Sequence, residues 1–318
     1  MSFAAAVKDD LCRIAMHKKC CLLAEFSAFL LLNGSMRITP GAGISLSMLT
    51  EHSGTARRIF SLAKEVFEMD TQISVHRKDR LRKNQVFSLL MPHQEGVTRA
   101  LSALGFNTGA EFWEMTTPPE PPAALCESQC CCRAYLRGAF LAGGSVNNPK
   151  STYHLEIVCN SRAQADFITG LAAGFDIAGH AVQRKNSWIF YLKESDRIIT
   201  FLNVIGSHRA LLDFENVRIE KDMRNRVNRL VNSEAANINK QVQAAQAQLA
   251  DIKKIALTIG LAKLPLSLRQ TAEARVNNPE ASLTELSALL SVGKSGVSHR
   301  LRRISEIADD IESGIKSV

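Results

Sequence analysis

The chain carries one helical pattern twice. "EFSAFLLLNGSM" runs from Glu25 to Met36, and "YLRGAFLAGGSV" from Tyr135 to Val146, 110 positions later. Laying Cys20–Ser35 over Cys130–Ser145 gives identity at six of sixteen positions. These are Cys20/Cys130, Cys21/Cys131, Ala24/Ala134, Leu31/Leu141, Gly34/Gly144 and Ser35/Ser145, and most of the others stay apolar or small. An internal repeat constrains the fold more than any composition does, because both copies must build the same supersecondary unit.

The segments that follow each copy agree. After the first come an extended run "GISLSMLT", a helical run "SGTARRIFSLAKEVFEM", two strand-like runs "TQISVHRK" and "NQVFSLLMP", and a helix near 97–104. After the second, "TYHLEIVCN" alternates Leu155, Ile157 and Cys159 as a strand does. "SRAQADFITGLAAGF" reads as a helix with Ser161 as N-cap, "HAVQRK" and "SWIFYLK" as a hairpin, and "SDRIITFLNVIG" as a helix. Each half is expected to be α-β-β-α-β-β-α, an α+β fold, with repeats at about 20–105 and 130–206 and a domain over 1–213. "TTPPEPPAAL" is a proline-rich connector between the halves.

From about Phe214 the sequence loses glycine and proline and fills with helix formers, predicting a helical linker over 214–250. Asn225, Asn228, Asn232 and Asn239 share one face there. That stripe reads either as a solvated or domain-packing face or as a phosphate contact aided by Arg224, Arg226 and Arg229. The last segment, 251–318, is expected to be all-α. "SLTELSALL" opens on a capping box, Ser282 to Glu285, and "SVG" with Gly293 breaks it. "KSGVSHRLRRISEIADDI" follows as a second helix. Two short helices around a three-residue turn fit a helix-turn-helix. Val297, Leu301, Ile304 and Ala308 fall on its core face. Lys294, Ser295, Ser298, His299, Arg300, Arg302 and Arg303 form a stretch with four basic residues and no acid. A helix whose front part enters the major groove needs that polarity, so as not to repel phosphate.

The net charge of +8, from 39 Lys and Arg against 31 Asp and Glu, favours a polyanionic partner. At 46% hydrophobic residues the chain can bury a real core. No apolar run is long enough to span a bilayer. "MSFAAAVKDDLCR" lacks the form of a signal peptide, so no membrane partner is expected. The eight cysteines are Cys12, Cys20, Cys21, Cys126, Cys130, Cys131, Cys132 and Cys159. A zinc knuckle within Cys126–Cys132 is disfavoured, because adjacent cysteines suit a site built on CxxC pairs poorly and no histidine pair is near. They are read as thiols buried on a helix, with no metal and no cofactor.

Each repeated helix resembles the LAGLIDADG helix of homing endonucleases. In that family two such helices pack at a pseudo-twofold axis, small residues let them approach, and an acid at each foot binds the catalytic metal. Ala28 and Gly138 stand at a small-residue position. The acid position, before the terminal glycine, is Asn33 in one copy and Gly143 in the other. Hydrolysis by a two-metal site needs carboxylates, so these degenerate metal positions argue against an active homing-type endonuclease. A degenerate LAGLIDADG-like domain followed by a helix-turn-helix resembles the WhiA family of Gram-positive bacteria across essentially the whole chain. "YLRGAFLAGGSV", "RNRVNRLVNSEAAN", "IGLAKLPLSLRQTAEARVNNPEASLTEL" and "KSGVSHRLRRI" carry the likeness. The resemblance implies a non-enzymatic, cytoplasmic, nucleoid-associated protein that binds double-stranded DNA, and a transcription regulator acting in sporulation or in cell division and chromosome segregation. A scaffold for RNA polymerase or a co-regulator is the alternative. In a LAGLIDADG saddle the hairpin tips approach phosphates. Here one tip holds Arg77, Lys78, Arg80, Arg82 and Lys83, and the other Arg184 and Lys185. These read either as phosphate contacts or as solvated turns.

Overall fold

The computed structural model describes residues 2–15, 18–39, 43–77, 85–104 and 123–313. They form two units, Met1–Lys221 and Asp222–Val318. The first unit is the duplicated fold expected from the repeat. Its first half runs α2 (Lys19–Asn33), β1 (Gly34–Thr39), β2 (Gly43–Thr50), α3 (Ser53–Phe67), β3 (Gln72–Arg77), β4 (Gln85–Met91) and α4 (Glu95–Ala103). The second half repeats it as α5 (Gln129–Gly143), β5 (Gly144–Val146), β6 (Leu155–Cys159), α6 (Arg162–Ala173), β7 (His180–Arg184), β8 (Ser187–Leu192) and α7 (Ser195–Ile205). Each half builds a four-stranded antiparallel sheet of the same order, β1-β2-β4-β3 and β5-β6-β8-β7. An additional helix, α1 (Phe3–Cys12), precedes them. Ser2 caps it by accepting from the Ala5 N–H at 3.2 Å, and Val7 and Leu11 are buried from it.

The repeated helices are the core of this unit. From Leu22 to Leu32 only Leu23 of α2 is not fully buried. A helix apolar on all sides belongs inside a domain, not on its surface. α2 packs side by side with α5, and equivalent positions meet, so the two run in the same direction. A Cβ on Gly138 would stand 2.5 Å from the Glu25 carbonyl oxygen and 3.0 Å from the Ala28 Cβ. Glycine there allows backbones to touch. Each helix passes into its strand with no intervening loop, at Gly34 and at Gly144.

One feature of this seam is absent from the sequence reading. Glu25 lies on α2 with no solvent exposure. It accepts from Arg58 Nε at 2.8 Å and Arg58 Nη2 at 3.0 Å, and from Arg137 Nε of the other repeat at 3.0 Å. Arg58 also donates to the Ile14 carbonyl, and Arg137 to that of Ile205 at 3.3 Å. A buried carboxylate requires such partners on both oxygens.

The cysteines depart from the expectation of buried thiols. Cys126, Cys131 and Cys159 are buried, whereas Cys20 is exposed and Cys12, Cys21, Cys130 and Cys132 are half-buried. The dicysteines occupy the first turns of α2 and α5, at the end of the helices opposite to that from which β1 and β5 leave. Burial pushes the Cys126 and Cys159 thiols up to about 12. Cys130 is drawn down to about 7, chiefly by the Ser128 hydroxyl 3.3 Å away.

Helix α8 (His208–Thr258) is continuous, starting before and ending after the linker read from sequence. It begins in the first unit and ends in the second. There, α9 (Leu266–Asn277), α10 (Leu283–Leu289) and α11 (Lys294–Glu312) gather on its last turns around Ile252, Ile255, Leu268, Ala272, Leu286 and Val297.

Candidate nucleic-acid interface

α10 and α11 are set by local chemistry. Ser282 accepts from the Glu285 N–H at 3.2 Å while the Glu285 carboxylate accepts from the Ser282 N–H at 2.7 Å, the reciprocal cap expected from sequence. α10 ends in a turn with Ser291 in the left-handed region, φ 49°. Ser287 closes that turn by donating its hydroxyl to the Val292 carbonyl at 2.6 Å. Behind α10, buried Arg275 donates to the Ala281 carbonyl at 2.6 Å and fixes the approach loop. Ser287, Ser291 and Arg275 were not legible as site-building residues, because their roles depend on backbone geometry.

On α11, Val297, Leu301, Ile304 and Ala308 are the buried residues, the face read from the spacing. Lys294, Ser295, Ser298, His299, Arg302 and Arg303 are all exposed, and Arg300 is half-buried at the flank. These seven residues wrap the part of α11 outside its core face, with Lys294 and Arg300 on opposite flanks. The structure adds a partner that sequence reasoning did not use. Glu306 sits one turn on, 3.3 Å from Arg302 Nε and 2.7 Å from Arg303 Nη1. Arg303, foremost, holds the Glu306 carboxyl below the usual range. Each guanidinium thus meets Glu306 through one nitrogen and keeps its other N–H donors free of that pair.

The foot of the paired helices opens into a cleft of about 990 Å³ lined by Lys8, Asp9, Asn33, Glu51, Gly144 and Ser145, among others. Asn33 donates its side-chain amide to the Leu49 carbonyl, so it is turned into the sheet. At Gly143 a Cβ would stand 2.6 Å from the Val158 carbonyl oxygen. That position has no room for any side chain, let alone a metal-binding carboxylate.

Of the hairpin residues, Arg77 is exposed at the end of β3, while Lys78, Arg80, Arg82 and Lys83 lie outside the described residues. Arg184 and Lys185 are exposed at the β7–β8 turn, where Lys185 takes φ 56°. The open faces of both sheets mix polar and apolar residues. Cross-strand pairing places Arg37, Ser35, Ser45, Ser47 and Ser88 together in the first, beside exposed Leu49 and Leu90. In the second it places Glu156, Tyr191 and His180 in one row and Val158, Ile189 and Val182 in the next. The four asparagines of α8 are all exposed.

Three family models match in chain order. They are the WhiA N-terminal LAGLIDADG-like domain over residues 19–106, the WhiA LAGLIDADG-like domain over 132–224 and the WhiA C-terminal HTH domain over 227–308. The chain is 47% identical to a "Probable cell division protein WhiA" of Desulforamulus reducens over 317 residues, covering 99% of this chain and 97% of that one. The chain belongs to the WhiA family. A WhiA relative from Heliobacterium modesticaldum with the same printed name is also 47% identical, over 97% of this chain and 96% of its own. Among solved structures, full-length DUF199/WhiA from Thermatoga maritima matches with a TM-score of 0.60 at 23% identity, covering 97% of this chain and 98% of that one. This likeness supports the WhiA fold of two LAGLIDADG-like repeats followed by a helix-turn-helix domain. Among the described residues no helix is long and apolar enough to cross a membrane.

Proposed function

We propose that this chain is a non-catalytic, sequence-specific regulator of double-stranded DNA, acting in the cytoplasm on the nucleoid in cell division and chromosome segregation or in sporulation. The observation that carries the reading is the front of α11. Six exposed polar or basic side chains from Lys294 to Arg303 project there with no acid among them, on a helix anchored by four buried apolar residues. Arg302 and His299 read base edges, while Lys294 and Arg300 hold phosphates and set register. The relatives' printed name supports the link to division. Absence of catalysis is supported by the amide at Asn33 and the filled position at Gly143.

Footprinting of the full chain on genomic DNA, beside Arg302→Ala/Arg303→Ala, tests this. The parent should protect discrete sites. The variant should lose them, at about 1–3 kcal/mol for each base contact removed. Unchanged protection by a folded variant would overturn the assignment. A scaffold for RNA polymerase or a co-regulator is favoured by one feature: Val158 and Val182 are solvent-exposed on the open face of the second sheet.

A further inference from the structure

We infer that Cys20, Cys21, Cys130 and Cys131 form a single zinc-binding site that joins the two repeats at the head of the helix pair. The sequence separates these residues into two dicysteines 110 positions apart, each a poor zinc motif alone. The parallel packing of α2 and α5 brings them together, and their four Sγ atoms all lie within 4.8 Å of one another. Among the described residues this is the one group of His, Cys, Asp or Glu side chains with such ligand proximity. A tetrahedral zinc tetrathiolate has Sγ atoms ~3.8 Å apart, as follows from zinc–sulfur bonds of ~2.3 Å. Small rotamer changes at two half-buried and one exposed cysteine close that gap, and Cys131 is the buried anchor.

The surroundings suit the charge. Four thiolates around Zn²⁺ carry a net charge of −2. All four sulfurs belong to the first turns of α2 and α5, where free N–H groups and the helix dipoles favour negative charge. Lys18 and Lys19 flank the first pair. On binding, each thiol loses its proton to solvent, and no redox change is involved. Four sulfur ligands with no nitrogen or oxygen select a soft or borderline ion, and zinc takes such a set as a closed tetrahedral site. Such a site is closed, with no position for water, and so structural. It lies at the opposite end of the helices from Asn33 and Gly143.

The test uses full-length protein purified in reductant without chelator. Metal analysis should find one zinc per chain. Cys20→Ser/Cys21→Ser and Cys130→Ser/Cys131→Ser should each fall to background, whereas Cys126→Ser/Cys132→Ser should keep its zinc. Replacement by Co²⁺ on the unaltered chain should give strong sulfur-to-cobalt charge transfer with the visible bands of a tetrahedral ion, a result that does not depend on any variant folding. Zinc retained by both paired variants, zinc lost from the Cys126/Cys132 control, an octahedral cobalt spectrum, an iron–sulfur chromophore or a disulfide between the helices would each overturn the proposal.

Discussion

Single residues decide more here than their number suggests. Glu25 lies between Arg58 and Arg137 with no exposure, so Glu25→Ala strands one buried and one half-buried cation. The loss should be about 3–5 kcal/mol in urea denaturation, since breaking a buried pair costs far more than the pair contributes. His52 gives a pH-dependent case. Its Nδ1 accepts from the Thr55 N–H at 3.1 Å and caps α3, and its Nε2 faces Asp9 at 3.2 Å. Burial lowers its pKa, with Lys8 and Arg57 adding to the effect and Asp9 opposing it. The folded chain therefore resists a proton that the unfolded chain accepts below about pH 6.5. The contribution is intact above that value and fades as pH falls toward the lower folded value. His52→Asn keeps a capping acceptor without the titration, so its stability should vary less with pH through this window.

At the scale of elements, the helix pair and the terminal helices behave differently. Gly138→Leu places a side chain where the Glu25 carbonyl already stands. Overpacking of this kind usually costs about 1–3 kcal/mol, and the backbone contact puts this case at the upper end or beyond, readable as a lower melting temperature. Restoring acids at the foot should not restore nuclease chemistry. Asn33→Asp sets a carboxylate against the Leu49 carbonyl to which the amide now donates, and Gly143→Asp drives a Cβ against Val158. The double variant should melt earlier and leave plasmid DNA uncut in Mg²⁺ or Mn²⁺. Nicking that copurifies with it would refute this. Much of this level was legible in the sequence. The repeat fixed two equal halves, and the spacing of Val297, Leu301, Ile304 and Ala308 fixed the core face of α11. Proximity across the repeats was not legible. Neither the meeting of the dicysteines nor the clasp on Glu25 leaves a local signal, because each exists only once α2 and α5 lie together. α1 went unread for a related reason: only Val7 and Leu11 of its ten residues are buried, too sparse a pattern to declare a face.

For the whole molecule, the first unit is bound by its own history. Its halves share topology and strand order, as two copies of one ancestor would. Yet the clasp at their seam is not shared. The position matching Glu25 in the second repeat is Tyr135, and the position matching Arg137 in the first is Ser27. Ser27 donates to the Ala24 carbonyl within its own helix, and the Tyr135 hydroxyl is buried with no hydrogen-bond partner among the described residues. The carboxylate is on one side only and the cross-seam guanidinium on the other. Two first halves brought together would face each other with two acids and no cross-seam base, and two second halves with bases and no acid. The seam has therefore become one-sided: the cross-seam bond of Glu25 forms only between unlike halves, and a half paired with a copy of itself would forgo it.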